Sequence, residues 1–144
     1  MIHNAAILGT LTPIEHYSIS LWYQVFQTNF HSAVLLTQTL IPLLKQNKKS
    51  AILFSCDPEN QQNSAYWGAY TLSKSLLSNF SDILKKELEQ THITVSTVNL
   101  KPTKTRLRHK AYPAENPDKT CQTVDQAVEY YFQILSKIYH AKTT

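Results

Sequence analysis

Tyr70 and Lys74 stand four residues apart in a stretch whose apolar residues recur at helical spacing. Both side chains therefore project from one face of a predicted helix, near its first turns. A lysine ammonium within a few ångströms of a phenol stabilises the tyrosinate. It draws the phenol's pKa down from about 10 towards working pH, where the group can give and take a proton. Eight tyrosines and twelve lysines in 144 residues produce such a spacing by chance about as often as not. The pair carries weight only through its surroundings.

The other reactive side chains form no comparable group. Cys56 and Cys121, with 64 residues between them, have neither metal-ligand spacing nor the pattern of a disulfide framework, and read as reduced thiols. The six histidines, His3, His16, His31, His92, His109 and His140, show no ligand spacing and read as surface or helix-end residues, so no metal site is expected. Lys101, Lys104, Arg106, Arg108 and Lys110 make a basic run that could grip phosphates. No aromatic residues are interleaved for stacking and the net charge is only +4, so a solvated loop is expected there rather than a nucleic-acid surface. Glycine occurs only as Gly9 and Gly68. A loop that lets a diphosphate approach the backbone needs several glycines in a short run, and there is none.

The elements that must position Tyr70 and Lys74 follow from periodicity. Met1 to Leu8 reads as the tail of a buried strand. Ser18 to about Asn47 reads as a long amphipathic helix that Pro42 kinks or ends, with Trp22, Phe26 and Phe30 as a core or subunit-contact stripe. Ala51–Ser55 reads as a short buried strand, Cys56 to Ser64 as a loop, and Ala65 to about Gln90 as a second helix. Ile93 to Leu100 is a β-branched strand, Lys101 to Thr120 a basic loop, and Val124 to Tyr139 a last helix with Thr123 as its cap. Strands alternating with helices at these lengths predict an α/β fold with a parallel sheet of about three strands. Ligands of such sheets bind at the carboxyl ends of the strands, here just after Ala6, Ser55 and Asn99. No stretch is long enough to span a bilayer and no signal peptide opens the chain, so a cytoplasmic protein is expected.

Ala65-Tyr-Trp-Gly-Ala-Tyr-Thr-Leu-Ser-Lys74 resembles the start of the catalytic helix in the short-chain dehydrogenase/reductase family, where Tyr-x-x-x-Lys follows a strand and a loop. His3-Asn-Ala-Ala6 resembles that family's Asn-Asn-Ala-Gly strand end. Asn29 falls in the long helix that carries the family's asparagine, and Val98-Asn99 followed by Thr103 and Thr105 resembles the loop that holds the nicotinamide. The resemblance runs from the family's fourth strand onward over nearly the whole chain. It implies a truncated Rossmann-like three-layer fold: residues 1–144 as a single partial domain, with 101–120 as the substrate-loop region. It further implies NAD or NADP as cofactor and a carbonyl or secondary alcohol as substrate. Tyr70 would exchange the proton, Lys74 would tune Tyr70 and hold the nicotinamide ribose, and Asn29 would position a water leading from Lys74 to solvent. Asn4 and Ala5 would line the cofactor end, and Thr105 would face the carboxamide.

Three departures qualify that expectation. The family's catalytic serine lies thirteen residues before the tyrosine, and that position here is Asp57, whose carboxylate cannot donate a hydrogen bond when ionised. Ser55, two residues away, is the candidate to substitute for it. The family's Pro-Gly after the asparagine is Leu100-Lys101, and the glycine-rich first turn is absent. An oxidoreductase inactive as this isolated chain is therefore expected, with a homo-oligomer through the long helices or a complementary N-terminal half as partner. The alternative is a non-catalytic interaction module that keeps the fold's dimerising helices.

Overall fold

The computed structural model describes residues 1–57 and 64–140. The chain divides into two compact units, Met1–Asn99 and Leu100–Thr144.

The first unit is built on three parallel strands, β1 (Ile2–His3), β2 (Ser50–Cys56) and β3 (Ile93–Asn99), in the order β1-β2-β3. Ile2 lies opposite Leu53, and β2 and β3 pair from Ser50 with Ile93 through Cys56 with Asn99. Parallel neighbours need a crossover between them, and helices supply both. The first comprises α1 (Ile19–Phe26), a π-helical turn (Gln27–His31) and α2 (Ser32–Leu44), and the second is α3 (Gly68–Glu87). This is the α/β, Rossmann-like arrangement expected from the sequence.

Every residue of β2 is buried, as its unbroken apolar run requires of a strand covered on both faces. The core gathers Ile52 and Phe54 of β2 with Leu77 and Leu84 of α3, Leu88 beyond it, and Ile93 and Val95 of β3. Phe80 meets Phe54 edge-on at 5.7 Å between ring centres and Phe30 at 6.2 Å. Trp22 stacks on Phe26 at 5.2 Å along α1. Complete burial of Phe54 contributes about 2–3 kcal/mol.

Four local expectations are corrected. The opening strand is only Ile2–His3, because the chain leaves β2 after His3 and the main chain of Ile7 bonds to the Asn29 side chain instead. The long helix is interrupted by the π-helical turn around Asn29. Pro42 lies inside α2, in a last turn that continues to Leu44, where its missing N–H removes a single helical bond. The second helix starts at Gly68, since Ser64–Trp67 form a turn in which Trp67 N–H donates to the Ser64 carbonyl at 3.3 Å. Most of the expected Cys56 to Ser64 loop, residues 58–63, lies outside the described residues.

In the second unit the basic stretch read as a loop contains two short helices, α4 (Arg106–Ala111) and α5 (Pro117–Thr120). Thr105 caps α4 and Asn116 caps α5, each accepting a backbone N–H. Arg108 forks onto Glu115 at 2.8 and 2.7 Å and lies 3.9 Å above the Tyr112 ring, while Lys104 pairs with Asp118. The Arg108 bonds hold the Glu115 carboxyl down at about 2. Charges in the basic run thus hold the segment's own shape. The last helix, α6 (Val124–His140), opens on Thr123, whose hydroxyl accepts Gln126 N–H at 3.2 Å while Gln126 Oε1 accepts Thr123 N–H at 2.8 Å. Thr123 is the cap the sequence predicts, and the bond to the Gln126 side chain makes it reciprocal. No helix of the described residues is long and apolar enough to cross a membrane.

Candidate active site

β2 ends at Cys56, and Asp57 follows at its carboxyl end, where parallel sheets place their ligands. Tyr70, in the first turn of α3, reaches this point. Its hydroxyl donates to Asp57 Oδ2 at 3.2 Å. One turn further on, Lys74 Nζ donates to the Ser55 carbonyl at 2.8 Å. Phenol and ammonium are therefore tied to the same strand end two residues apart. Each residue is only 5% exposed, so water screens their charges poorly.

Burial holds the Lys74 ammonium below the ordinary lysine range, opposed by the neighbouring Cys56 and Asp57. The Cys56 thiol is pushed up by its own burial, with Lys74 acting the other way. Ser55 enters the site through its backbone carbonyl, and its side chain is buried with the rest of β2.

Asn29 occupies the centre of the π-helical turn and is 1% exposed. Its Oδ1 accepts Ile7 N–H at 2.8 Å and its Nδ2 donates to the Ile7 carbonyl at 2.9 Å, so the amide satisfies a main-chain pair that no strand neighbour takes up. Nδ2 also donates to Ser73 Oγ at 3.0 Å, and Ser73 Oγ donates to the Tyr70 carbonyl at 2.8 Å. A continuous chain of bonds thus runs from the segment after β1, through Asn29 and the fully buried Ser73, to the backbone of Tyr70. π-Helical turns concentrate at functional sites because the extra residue re-aims one side chain, which is what happens to Asn29.

The structure brings together Asn29, Asp57, Tyr70 and Lys74 within the first unit. Asn4 and Ala5 are exposed immediately after β1, at the same end of the parallel sheet. Thr105 belongs to the second unit, where its hydroxyl caps α4. No group of three histidine, cysteine or acidic side chains is placed to hold a metal ion among the described residues.

Two features escape sequence reasoning. His3 is buried rather than a surface residue: its Nε2 lies 2.9 Å from Thr37 Oγ1 and its ring stacks on Phe54 at 4.8 Å, burial and the adjacent amino terminus lowering its pKa to about 4. Tyr66 has φ 74°, a left-handed conformation costing a side chain of this kind on the order of 1–2 kcal/mol. Its carbonyl accepts Thr12 N–H at 3.1 Å, which holds the turn in place.

A tyrosine and a lysine one helical turn apart are thus set at the carboxyl end of the central strand of a parallel, Rossmann-like sheet. The chain matches the model of the short chain dehydrogenase family over residues 1–116, and it belongs to that family. It is 33% identical over 119 residues to the uncharacterized oxidoreductase YciK of Escherichia coli K12, covering 83% of this chain and 47% of that protein. The structure of a short chain dehydrogenase from Salmonella enterica serovar Typhi superimposes with a TM-score of 0.87 at 30% identity, over 93% of this chain and 55% of the other. A short chain dehydrogenase from Escherichia coli CFT073, solved in complex with NADPH, does so with a TM-score of 0.85 at 30% identity, over 93% and 55%. The chain spans about half the length of the curated relatives it matches.

Proposed function

We propose that this chain supplies the proton-transfer side of an oxidoreductase that uses NAD or NADP to interconvert a carbonyl and a secondary alcohol. The observation that carries the reading is the anchoring of Tyr70 and Lys74 to positions two residues apart at the end of β2. Family membership and the NADPH-bound relative support the cofactor class.

In this reading the substrate oxygen displaces Asp57 from the Tyr70 hydroxyl and takes the phenolic proton, and the Lys74 ammonium stabilises the resulting tyrosinate. Asn29 fixes the backbone of Tyr70 through Ser73. Asn4 and Ala5 would line the cofactor end. A bound nicotinamide would supply or accept the hydride.

The residues present fit only part of that cofactor. Gly9, at φ 75°, is packed against Tyr17 and Val25, and Gly68 lies under Ile14, so a Cβ at either position would collide with its neighbours. Both glycines are committed to packing, and no glycine cradle for a diphosphate remains among the described residues. The chain by itself is therefore inactive in this account and needs a glycine-rich strand-turn-helix from a complementary half. Leu35, Leu36 and Leu43 of α2 and Leu72, Leu76 and Ile83 of α3 are exposed, which supports self-association through the long helices.

A second reading, a non-catalytic interaction module, is favoured by the Tyr70–Asp57 bond, which occupies the proton the reaction would use. Fluorescence titration of the purified chain with NADH and NADPH separates the cases when combined with complementation by a glycine-rich strand-turn-helix segment supplied as a separate chain. The proposed function predicts no saturable binding by the chain alone. It predicts dinucleotide-dependent ketone reduction by the complemented chain, reduced at least ~100-fold by Tyr70→Phe. Turnover indifferent to Tyr70→Phe, or none on complementation, would favour the module.

A further inference from the structure

We infer that Tyr66 and Trp67 form an aromatic wall that selects an uncharged, apolar carbonyl compound, and that the strained backbone of Tyr66 serves that selection. The inference rests on the reading of Tyr70 as the proton-transfer group.

Ser64 to Trp67 is a four-residue turn whose third position is left-handed, a position at which glycine is unstrained. The residue there is a tyrosine, and it is 58% exposed. Core packing therefore does not account for an aromatic side chain at this backbone geometry. Strain kept at an exposed residue four positions before Tyr70 marks a functional constraint.

The neighbours agree in character. Trp67 is half-buried and meets the Tyr70 ring edge-on at 6.0 Å between centres. Ile14, 62% exposed, packs directly on Gly68, and Trp22 comes up beside it. Thr12 ties this second segment to the turn through the Tyr66 carbonyl. Trp67 thus sets an aromatic ring beside the Tyr70 ring, and the turn that carries Tyr66 and Trp67 leads into an aliphatic and aromatic patch at Gly68. The charged group bonded to the hydroxyl itself is the Asp57 carboxylate, which repels an anionic substrate. Lys74 Nζ is only 5% exposed and directed at the Ser55 carbonyl, so it does not offer a carboxylate or phosphate its usual partner.

The test uses the purified chain labelled with nitrogen-15 in tryptophan, which has only Trp22 and Trp67 and hence two indole signals, assigned with Trp22→Phe. Acetophenone is expected to shift the Trp67 signal saturably, whereas pyruvate leaves it in place. Tyr66→Gly should weaken acetophenone binding about tenfold, the loss of one aromatic contact, while Tyr66→Phe retains it. Tyr66→Gly should melt at or above the temperature of the unsubstituted chain, because the turn is relieved. Pyruvate binding as tightly as acetophenone, or Tyr66→Gly that lowers the melting temperature with unchanged ketone affinity, would overturn the inference. Binding needs no hydride transfer, so selective ketone binding alongside turnover indifferent to Tyr70→Phe would sink only the proposed reaction.

Discussion

The Tyr70 hydroxyl donates to Asp57 Oδ2 at 3.2 Å, across the thirteen residues that separate the end of β2 from the first turn of α3. A carboxylate in that place accepts the phenolic proton's hydrogen bond and disfavours a second negative charge beside it. Lys74 acts in the opposite sense from the next turn. Under the proposed function, the readiness of Tyr70 to exchange a proton would be set by these two groups of opposite charge at the same strand end.

Asn29 is the pin of this arrangement. Replacing it with alanine removes the two bonds to Ile7 and the bond to Ser73, leaving partly buried main-chain groups unpaired. The expected loss is about 2–3 kcal/mol, read from the urea midpoint of the purified chain.

Lys74 is held at a cost to the fold. Its pKa is lowered in the folded chain, so the unfolded chain binds the proton more strongly, and this residue's contribution to stability rises as pH climbs towards the ordinary lysine range near 10.5. Lys74→Met, which keeps the length and removes the buried charge, should therefore leave thermal stability at pH 7 unchanged or higher by up to about 1 kcal/mol. A large loss would mean that the Ser55 carbonyl bond outweighs the burial cost.

His3 makes the fold acid-sensitive. Its folded pKa of about 4 lies below the ordinary imidazole value of 6.5, so the unfolded chain takes up the extra proton as pH falls through that window. Stability should decline by on the order of 1–2 kcal/mol between pH 6.5 and 4. His3→Gln, which can still bond Thr37, should remove this portion of the decline in melting experiments across that range.

The parts of the molecule legible in the sequence are those set by short-range patterns. The apolar run Ala51–Ser55 can satisfy only a strand covered on both faces, and the alternation from Ile93 marks β3 as plainly. Tyr70 and Lys74 were legible because a helix converts their spacing into a shared face. What was not legible depends on distant partners. Nothing in Gln-Thr-Asn-Phe-His announces a π-helical turn, since the bond that stabilises it comes from Ile7, twenty-two residues earlier. His3 is buried because Thr37, thirty-four residues on, meets its ring nitrogen. Tyr66 takes a backbone conformation that local preference assigns to glycine, and only the contact from Thr12 reveals it. The departure at Asp57 was visible as a residue type, whereas its bond to Tyr70 needed coordinates.

The most direct test is the ionisation of Tyr70 itself, followed as the ultraviolet difference between the chain and its Tyr70→Phe variant during an alkaline titration. Asp57→Asn should move this ionisation to lower pH and Lys74→Met to higher pH, because one substitution removes a like charge and the other an opposite one. A Tyr70 signal that neither substitution moves would show that the phenol does not share a site with the carboxylate and the ammonium, and would contradict the account.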